Sequence, residues 1–475
     1  MTSDRCETID TAPAGADSHR FAVNATSELV ESAGRRAAAY LRGINARRVF
    51  PTPEAVARLE QLGGPVPETS EDPRQVLRAL DEIGSPATAA TTAGRYFGFV
   101  VGGALPAAAA ASVLGAAWNQ NAAMTSTSPV AVRLEEIALG WARDLLGLPR
   151  GASGALVTCT TVANLTALAA ARHALLTRRG WDVESRGLFG APDIPVVVGE
   201  DVHVSVLKAL AVIGFGRDRV ITVPTDAQGR IRAAAFPRLH EPVIACIQAG
   251  NVNTGGFDPA EPICRAVHAA GGWVHVDGAF GLWAASAPRR AHLARGFELA
   301  DSWATDGHKW LNVPYDCGFV FVRESEPLVR AMRMQADYLP STGDWQPIHW
   351  TPDASRRARG PEVWAAIKSL GRTGVGGLVE QTCQHAERFA ERLRAAGIRV
   401  LNDVVINQVL VSFGSDERTR AVIDAVQRDG TCWCGGTVWH GRHAMRISVS
   451  SWVTTADDVE ASADAIIRAA RSTVR

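Results

Sequence analysis

Five residues stand where apolar runs give way to turns, and each is of a type that does chemistry. Lys309 follows His308 in "ATDGHKWLNVPYDCG", residues 304–318, where a strand-like run meets a loop. Asp277 closes the apolar run of "GWVHVDGAFGLWA", and His203 opens the helical run "HVSVLKALAVIG". Thr160 and Thr161 lie in "GALVTCTTVANLTALAAAR", between a strand and a helix expected from about Val162. Singly, each has a plain explanation: a solvated lysine, a turn aspartate, a capping histidine, a helix N-cap. In this order they compose a site for pyridoxal 5'-phosphate. The aldehyde of that cofactor takes an amine as a Schiff base. Its pyridine nitrogen takes a carboxylate that keeps it protonated as an electron sink, and its phosphate takes the free N–H groups and hydroxyls of a helix N-terminus. Lys309, Asp277, Thr160 and Thr161 supply these groups. His203 can stack on the ring, and Ala279, two residues past Asp277 on the same side of the chain, is small enough to pack beneath it.

Such residues meet only if a scaffold collects the ends of several strands. From about 90 to 340, short β-branched runs alternate with longer Ala- and Leu-rich periodic segments, which predicts a mostly parallel sheet covered on both faces. Ligands bind such sheets at the strand ends. The expected organisation is an N-terminal helical arm over 1–90, a large α/β domain over 91–345 and a smaller C-terminal α+β domain over 346–475. The apolar run "LPAAAAASVLGAAW" at 105–118 is too short to span a bilayer and reads as a buried helix.

Composition narrows the partners. Lys and Arg equal Asp and Glu at 49 each, with no basic run, which argues against nucleic acid or an anionic membrane and for a small-molecule substrate. The eight cysteines lack any CxxC pair; Cys432 and Cys434 are the closest, without the second pair or histidines of a zinc site. No metal is expected, and the thiols read as reduced and cytoplasmic. The polar N-terminus has no apolar core of a signal peptide.

The same stretches, with "RYFGFVVGGALP", "SPVAVRLEEIALGWARDLLGLP", "GNVNTGGFDP" and "RISVSSWVTTADDVE", resemble the group II pyridoxal-phosphate-dependent decarboxylases, which include aromatic amino acid and glutamate decarboxylases. The resemblance implies the aspartate-aminotransferase fold, fold type I, and a homodimer with active sites at the subunit interface. It implies that Lys309 is the Schiff-base lysine, Asp277 the partner of the pyridine nitrogen and His203 the stacking residue. Thr160, Thr161 and His308 become neighbours of the phosphate, and Thr254 in "NVNTGGFD" a cofactor contact. The implied reaction is decarboxylation of an L-amino acid, through an external aldimine and a quinonoid. The alternatives are other reactions of the same cofactor on this scaffold: aldehyde-forming decarboxylation, carbon–carbon cleavage or transamination. A non-catalytic binding protein is a more distant one, opposed by the intact Lys309, Asp277 and His203.

Two departures follow. Members of the group carry a tyrosine on a loop after the lysine, linked to protonating the α-carbon, whereas the four tyrosines here are Tyr40, Tyr96, Tyr315 and Tyr338, none within 340–359. That stretch offers His349 as a substitute acid. The turn "CTTVAN" replaces a Gly/Ser-rich one but keeps hydroxyl and backbone donors. For the substrate side chain, the resemblance points to Phe99 as an apolar wall and to Asn121, with Asn119 and Gln120, as amide donors, which suits an aromatic or polar side chain. Arg446 is expected in a structural ion pair.

Overall fold

The computed structural model describes residues 16–334 and 345–473. A division between two compact units falls at Ala90 and Thr91. The N-terminal unit is helical, with α1 (Ala16–Gly43), α2 (Pro53–Ala57) and α3 (Pro73–Ala79). Proline opens α2 and α3 behind Thr52 and Asp72, whose side chains cap the free N–H groups of the first turn. Its buried apolar residues are Ile44, Val49 and Ala90 among those described, too few to make a core of their own.

The second unit is built on seven strands: β1 (Ser153–Val157), β2 (Val196–Gly199), β3 (Ile221–Val223), β4 (Ile244–Gln248), β5 (Trp273–Asp277), β6 (Ser302–Asp306) and β7 (Gly318–Val322). Their order is β1-β7-β6-β5-β4-β2-β3. The run from β3 to β6 is parallel, and β7 lies antiparallel to both β6 and β1. β7 is therefore the one reversed strand, and the carboxyl ends of β1, β2, β4, β5 and β6 share one rim. Side chains alternate between two cores, as a period of two requires. Val197, Ala245, Ile247, Val274, Val276 and Trp303 enter one, while Val198, Cys246, Trp273, Ala304 and Val320 enter the other. The Ala-rich α6 (Thr160–Arg178) packs in the second core, where Ala163, Ala167, Ala170 and Ala171 let the helix approach the sheet closely.

Around the sheet run α4 (Pro106–Trp118), α5 (Pro129–Leu145), α7 (Val183–Arg186), α8 (Val204–Val212), α9 (Ala260–Ala269) and α10 (Ser325–Met332). α11 (Gly360–Ala395) is broken at Gly371, whose φ of 61° is left-handed. A second sheet, ordered β10-β11-β9-β8, follows from β8 (Arg399–Val400), β9 (Gln408–Ser412), β10 (Gly435–Trp439) and β11 (Arg442–Ser448). It packs with α12 (Asp416–Asp429) and α13 (Ala456–Ser472) around Phe389, Val409, Met445, Ile447 and Ile466. The expected helix at 105–118 forms as α4 but is not buried: Val113, Leu114 and Trp118 are exposed. No helix among the described residues is long and apolar enough to cross a membrane.

Candidate active site

Each singled-out residue sits at or just beyond a carboxyl strand end: Thr160 after β1, His203 after β2, Asp277 at the end of β5, and His308 and Lys309 after β6. The shared direction of these strands gathers them on one rim of the sheet.

Helix α6 begins at Thr160, not Val162, and no neighbouring side chain caps it. The cap comes from far along the chain, because Asp306 Oδ1 accepts from the Thr160 N–H at 2.6 Å. Asp306 is 2% exposed and also meets Lys309 Nζ at 3.0 Å and His308 Nε2 at 3.6 Å. Asp306 is not among the residues singled out above, although an aspartate three residues before Lys309 is a legible signal. His308 Nδ1 accepts from the Cys317 N–H at 3.1 Å, which leaves its proton on Nε2, toward Asp306. Burial pushes His308 below its ordinary range. Its ring stacks on Tyr315 with centroids 4.3 Å apart.

Asp277 is held from three sides. Oδ2 accepts from the Asn164 amide at 3.3 Å and lies 3.4 Å from Ser205 Oγ, and Oδ1 accepts from the Ala279 N–H at 3.2 Å. Asn164 points its amide at Asp277 because its oxygen accepts from His275 Nε2 at 2.9 Å. His275 is fully buried and pushed down to about 4 by burial, so it is neutral. His203 Nδ1 caps α8 by accepting from the Ser205 N–H, and lies 2.7 Å from Ser205 Oγ. Burial pushes His203 down against the pull of Asp277, and the charges of Lys309 and Arg446 add to the fall. Ala279 ties the two acids together, since its carbonyl accepts from the Asp306 N–H at 2.8 Å.

The pyridoxal-dependent decarboxylase conserved domain matches residues 58–414. The chain belongs to the pyridoxal-dependent decarboxylase family. It is a pyridoxal-phosphate-dependent carboxy-lyase. It is 26% identical over 369 residues to the aromatic-L-amino-acid decarboxylase of Bacillus atrophaeus, covering 75% of this chain and 74% of that one. To the L-2,4-diaminobutyrate decarboxylase of Rhizobium meliloti (strain 1021) it is 29% identical over 387 residues, covering 77% and 75%. The crystal structure of Oryza sativa TDC with PLP and tryptamine superposes with a TM-score of 0.87 at 22% identity, over 98% of this chain and 100% of that one, which gives the fold type I architecture.

The residues of this decarboxylase fit its cofactor. Thr160 Oγ1 is buried at the start of α6 with no hydrogen-bond partner, an omission that costs about 1–3 kcal/mol unless a ligand oxygen fills it. The loop that carries Phe99 is fastened to the segment of the lysine. Gly102 N–H donates to the His308 carbonyl, and a Cβ at Gly102 would lie 1.9 Å from the Lys309 carbonyl oxygen. Asn312, buried with a φ of 58°, clasps the loop: its Oδ1 accepts from the Gly103 and Trp452 N–H groups, and its amide donates to the Trp310 and Ser450 carbonyls. Phe99, also left-handed at φ 52°, projects 63% exposed and stacks on Trp433.

Other expected residues lie apart. The Thr254 hydroxyl donates to the Gln228 carbonyl at 2.6 Å and holds a turn, with no bond to the residues above. The Asn121 oxygen accepts from the Arg356 N–H at 3.0 Å, so the expected amide is partly occupied. His349 is buried with both ring nitrogens unpartnered, and it makes no hydrogen bond, ion pair or ring contact with Lys309, Asp277 or His203. Burial and the Arg333 charge push it down. Arg446, expected in a structural ion pair, has none among the described residues. Tyr338 lies outside the described residues; of the others, Tyr315 is the tyrosine that touches the site.

Proposed function

We propose that this decarboxylase removes the α-carboxyl group of an L-amino acid whose side chain is aromatic, in a homodimeric, cytoplasmic enzyme. The observation that carries this is the rim itself: Lys309, Asp277 with its Asn164–His275 support, and the partnerless Thr160 hydroxyl. When bound, the cofactor supplies an aldehyde for an amine and a pyridinium that accepts the electron pair of the broken carbon–carbon bond. Lys309 would anchor it. Asp277, held by the Asn164 amide and the Ala279 N–H, would pair with the ring nitrogen. His203, kept neutral by burial, and Ala279 would contact the ring. Thr160, Thr161 and the Nε2–H of His308 would hold the phosphate.

Phe99, Trp433 and Tyr96, stacked in series at 5.4 and 5.1 Å, support the aromatic side chain. The relative that acts on aromatic L-amino acids agrees with this. The exposed Val113, Leu114 and Trp118 of α4, with Phe99 and Tyr315 at 63% and 59% exposure, support a second copy that covers them. Seven described cysteines are free thiols, as a reducing compartment favours.

The test is to load the protein with pyridoxal 5'-phosphate, offer single L-amino acids, and follow carbon dioxide, oxygen and products together. Carbon dioxide with amine and no oxygen uptake is expected, and Lys309→Ala loses both turnover and the visible absorbance of the lysine-bound cofactor. Oxygen uptake with aldehyde, or side-chain cleavage without carbon dioxide, overturns the assignment.

A further inference from the structure

Three nitrogens surround the Asp306 carboxylate. Oδ1 takes the Thr160 N–H at 2.6 Å, while Oδ2 lies 3.0 Å from Lys309 Nζ and 3.6 Å from His308 Nε2. The residue is pinned at the end of β6, its own N–H donating to the Ala279 carbonyl, and almost none of it reaches solvent. Beside it lies the Thr160 hydroxyl, buried and without a partner. A phosphate bound at a helix N-terminus uses the N–H groups of the first turn. A carboxylate that already holds one of them is therefore a resident anion where the ligand's anion belongs.

We propose that Asp306 is a built-in competitor for the phosphate of the cofactor: it supplies the negative charge that α6, Lys309 and His308 face in the cofactor-free chain, and phosphate binds against it. The proposal rests on the cofactor reading above. Attachment sharpens the conflict. When the lysine amine condenses with an aldehyde, water leaves and the nitrogen keeps at most one hydrogen, so Asp306 loses most of its donor from Lys309 as a second anion arrives. His308 is the side-chain donor that remains, because its Nδ1 is committed to the Cys317 N–H and its Nε2–H lies on the side of Asp306, 3.6 Å from Oδ2. Asp306 thus exchanges a lysine partner for a histidine partner, and the strength of phosphate binding is set by its charge.

Asp306→Asn keeps an oxygen for the Thr160 N–H and removes the charge. Inorganic phosphate, pyridoxal 5'-phosphate and pyridoxal are titrated into the cofactor-free chain by calorimetry. The variant is expected to bind the two phosphate-bearing probes about tenfold tighter, about 1.4 kcal/mol, with pyridoxal unchanged. Lys309→Ala, which leaves the carboxylate without its cation, weakens inorganic phosphate, and the double variant restores it. Asp306→Ser, also uncharged, carries the same expectation should the asparagine variant fail to fold. Unchanged or weaker phosphate binding by a variant with a wild-type melting profile overturns the proposal, as does an equal gain for pyridoxal. If the wild type takes up no pyridoxal 5'-phosphate, the cofactor reading fails, while the inorganic phosphate series still decides the role of Asp306.

Discussion

Neutralising the ion pair between Glu135 and Arg356 tests how the strand that delivers Thr160 is held. β1 is an edge strand, and Leu156 turns its N–H and carbonyl away from β7. Glu135 Oε1 accepts that N–H at 2.9 Å, and Arg356 Nη2 donates to that carbonyl. The two side chains join through bonds of 2.9 and 3.0 Å and are 0% and 1% exposed. Together they do for the free edge what a neighbouring strand would do. Breaking one side of a buried pair costs about 3–5 kcal/mol, because the other charge stays buried. Glu135→Gln and Arg356→Met should each cost that much. The double variant buries no charge, and the amide introduced at position 135 can serve one of the two carbonyls that Arg356 releases, at Leu156 and Ala122. Its cost should fall to about 1–3 kcal/mol, one unmet carbonyl. Urea unfolding at fixed protein concentration, followed by tryptophan fluorescence, gives the three values, and hydrogen exchange over β1 locates the loss. A double variant that costs the sum of the singles, about 6–10 kcal/mol, refutes the argument.

Thr160→Val removes a buried hydroxyl with no partner, so it should stabilise the cofactor-free chain by about 1 kcal/mol while weakening inorganic phosphate roughly tenfold; thermal melts and titrations read the two effects. Gly102→Ala forces the backbone away from the Lys309 carbonyl and should reduce loading of lysine-bound cofactor, measured by visible absorbance. Burial holds His275 at about 4, below its ordinary 6.5, so between these values the unfolded chain binds a proton that the folded chain refuses. Stability therefore rises with pH across that window and is lost as pH falls toward 4, by up to about 3 kcal/mol; His275→Gln should flatten this slope in unfolding measured from pH 4 to 7.

The alternation of strand and helix was readable because buried parallel strands appear as unbroken apolar runs, and Lys309, Asp277 and His203 because each interrupts or ends one. Their supports were not readable. Asn164 reaches Asp277 across 113 residues, and Asp306 reaches Thr160 across 146. A polar residue inside an Ala-rich helix carries no local mark of its partner. The exposure of α4 within the chain is not readable either, because an apolar run reports its own polarity and not what covers it. Thr254, expected as a cofactor contact from its place in a motif, donates its hydroxyl to the Gln228 carbonyl, a bond that composition and spacing do not reveal.

The position of β1 also has a consequence for the order in which the chain is made. β1 leaves the ribosome well before β7, its one ladder partner, and Arg356 follows Leu156 by 200 residues. At ordinary elongation rates that gap lasts roughly 10–40 s. Through that interval the nascent strand has no ladder on one side and only Glu135 on the other. A half-made chain thus carries an open apolar strand that the finished protein never shows, and its yield in cells should depend on chaperones and growth temperature more than its final stability would suggest.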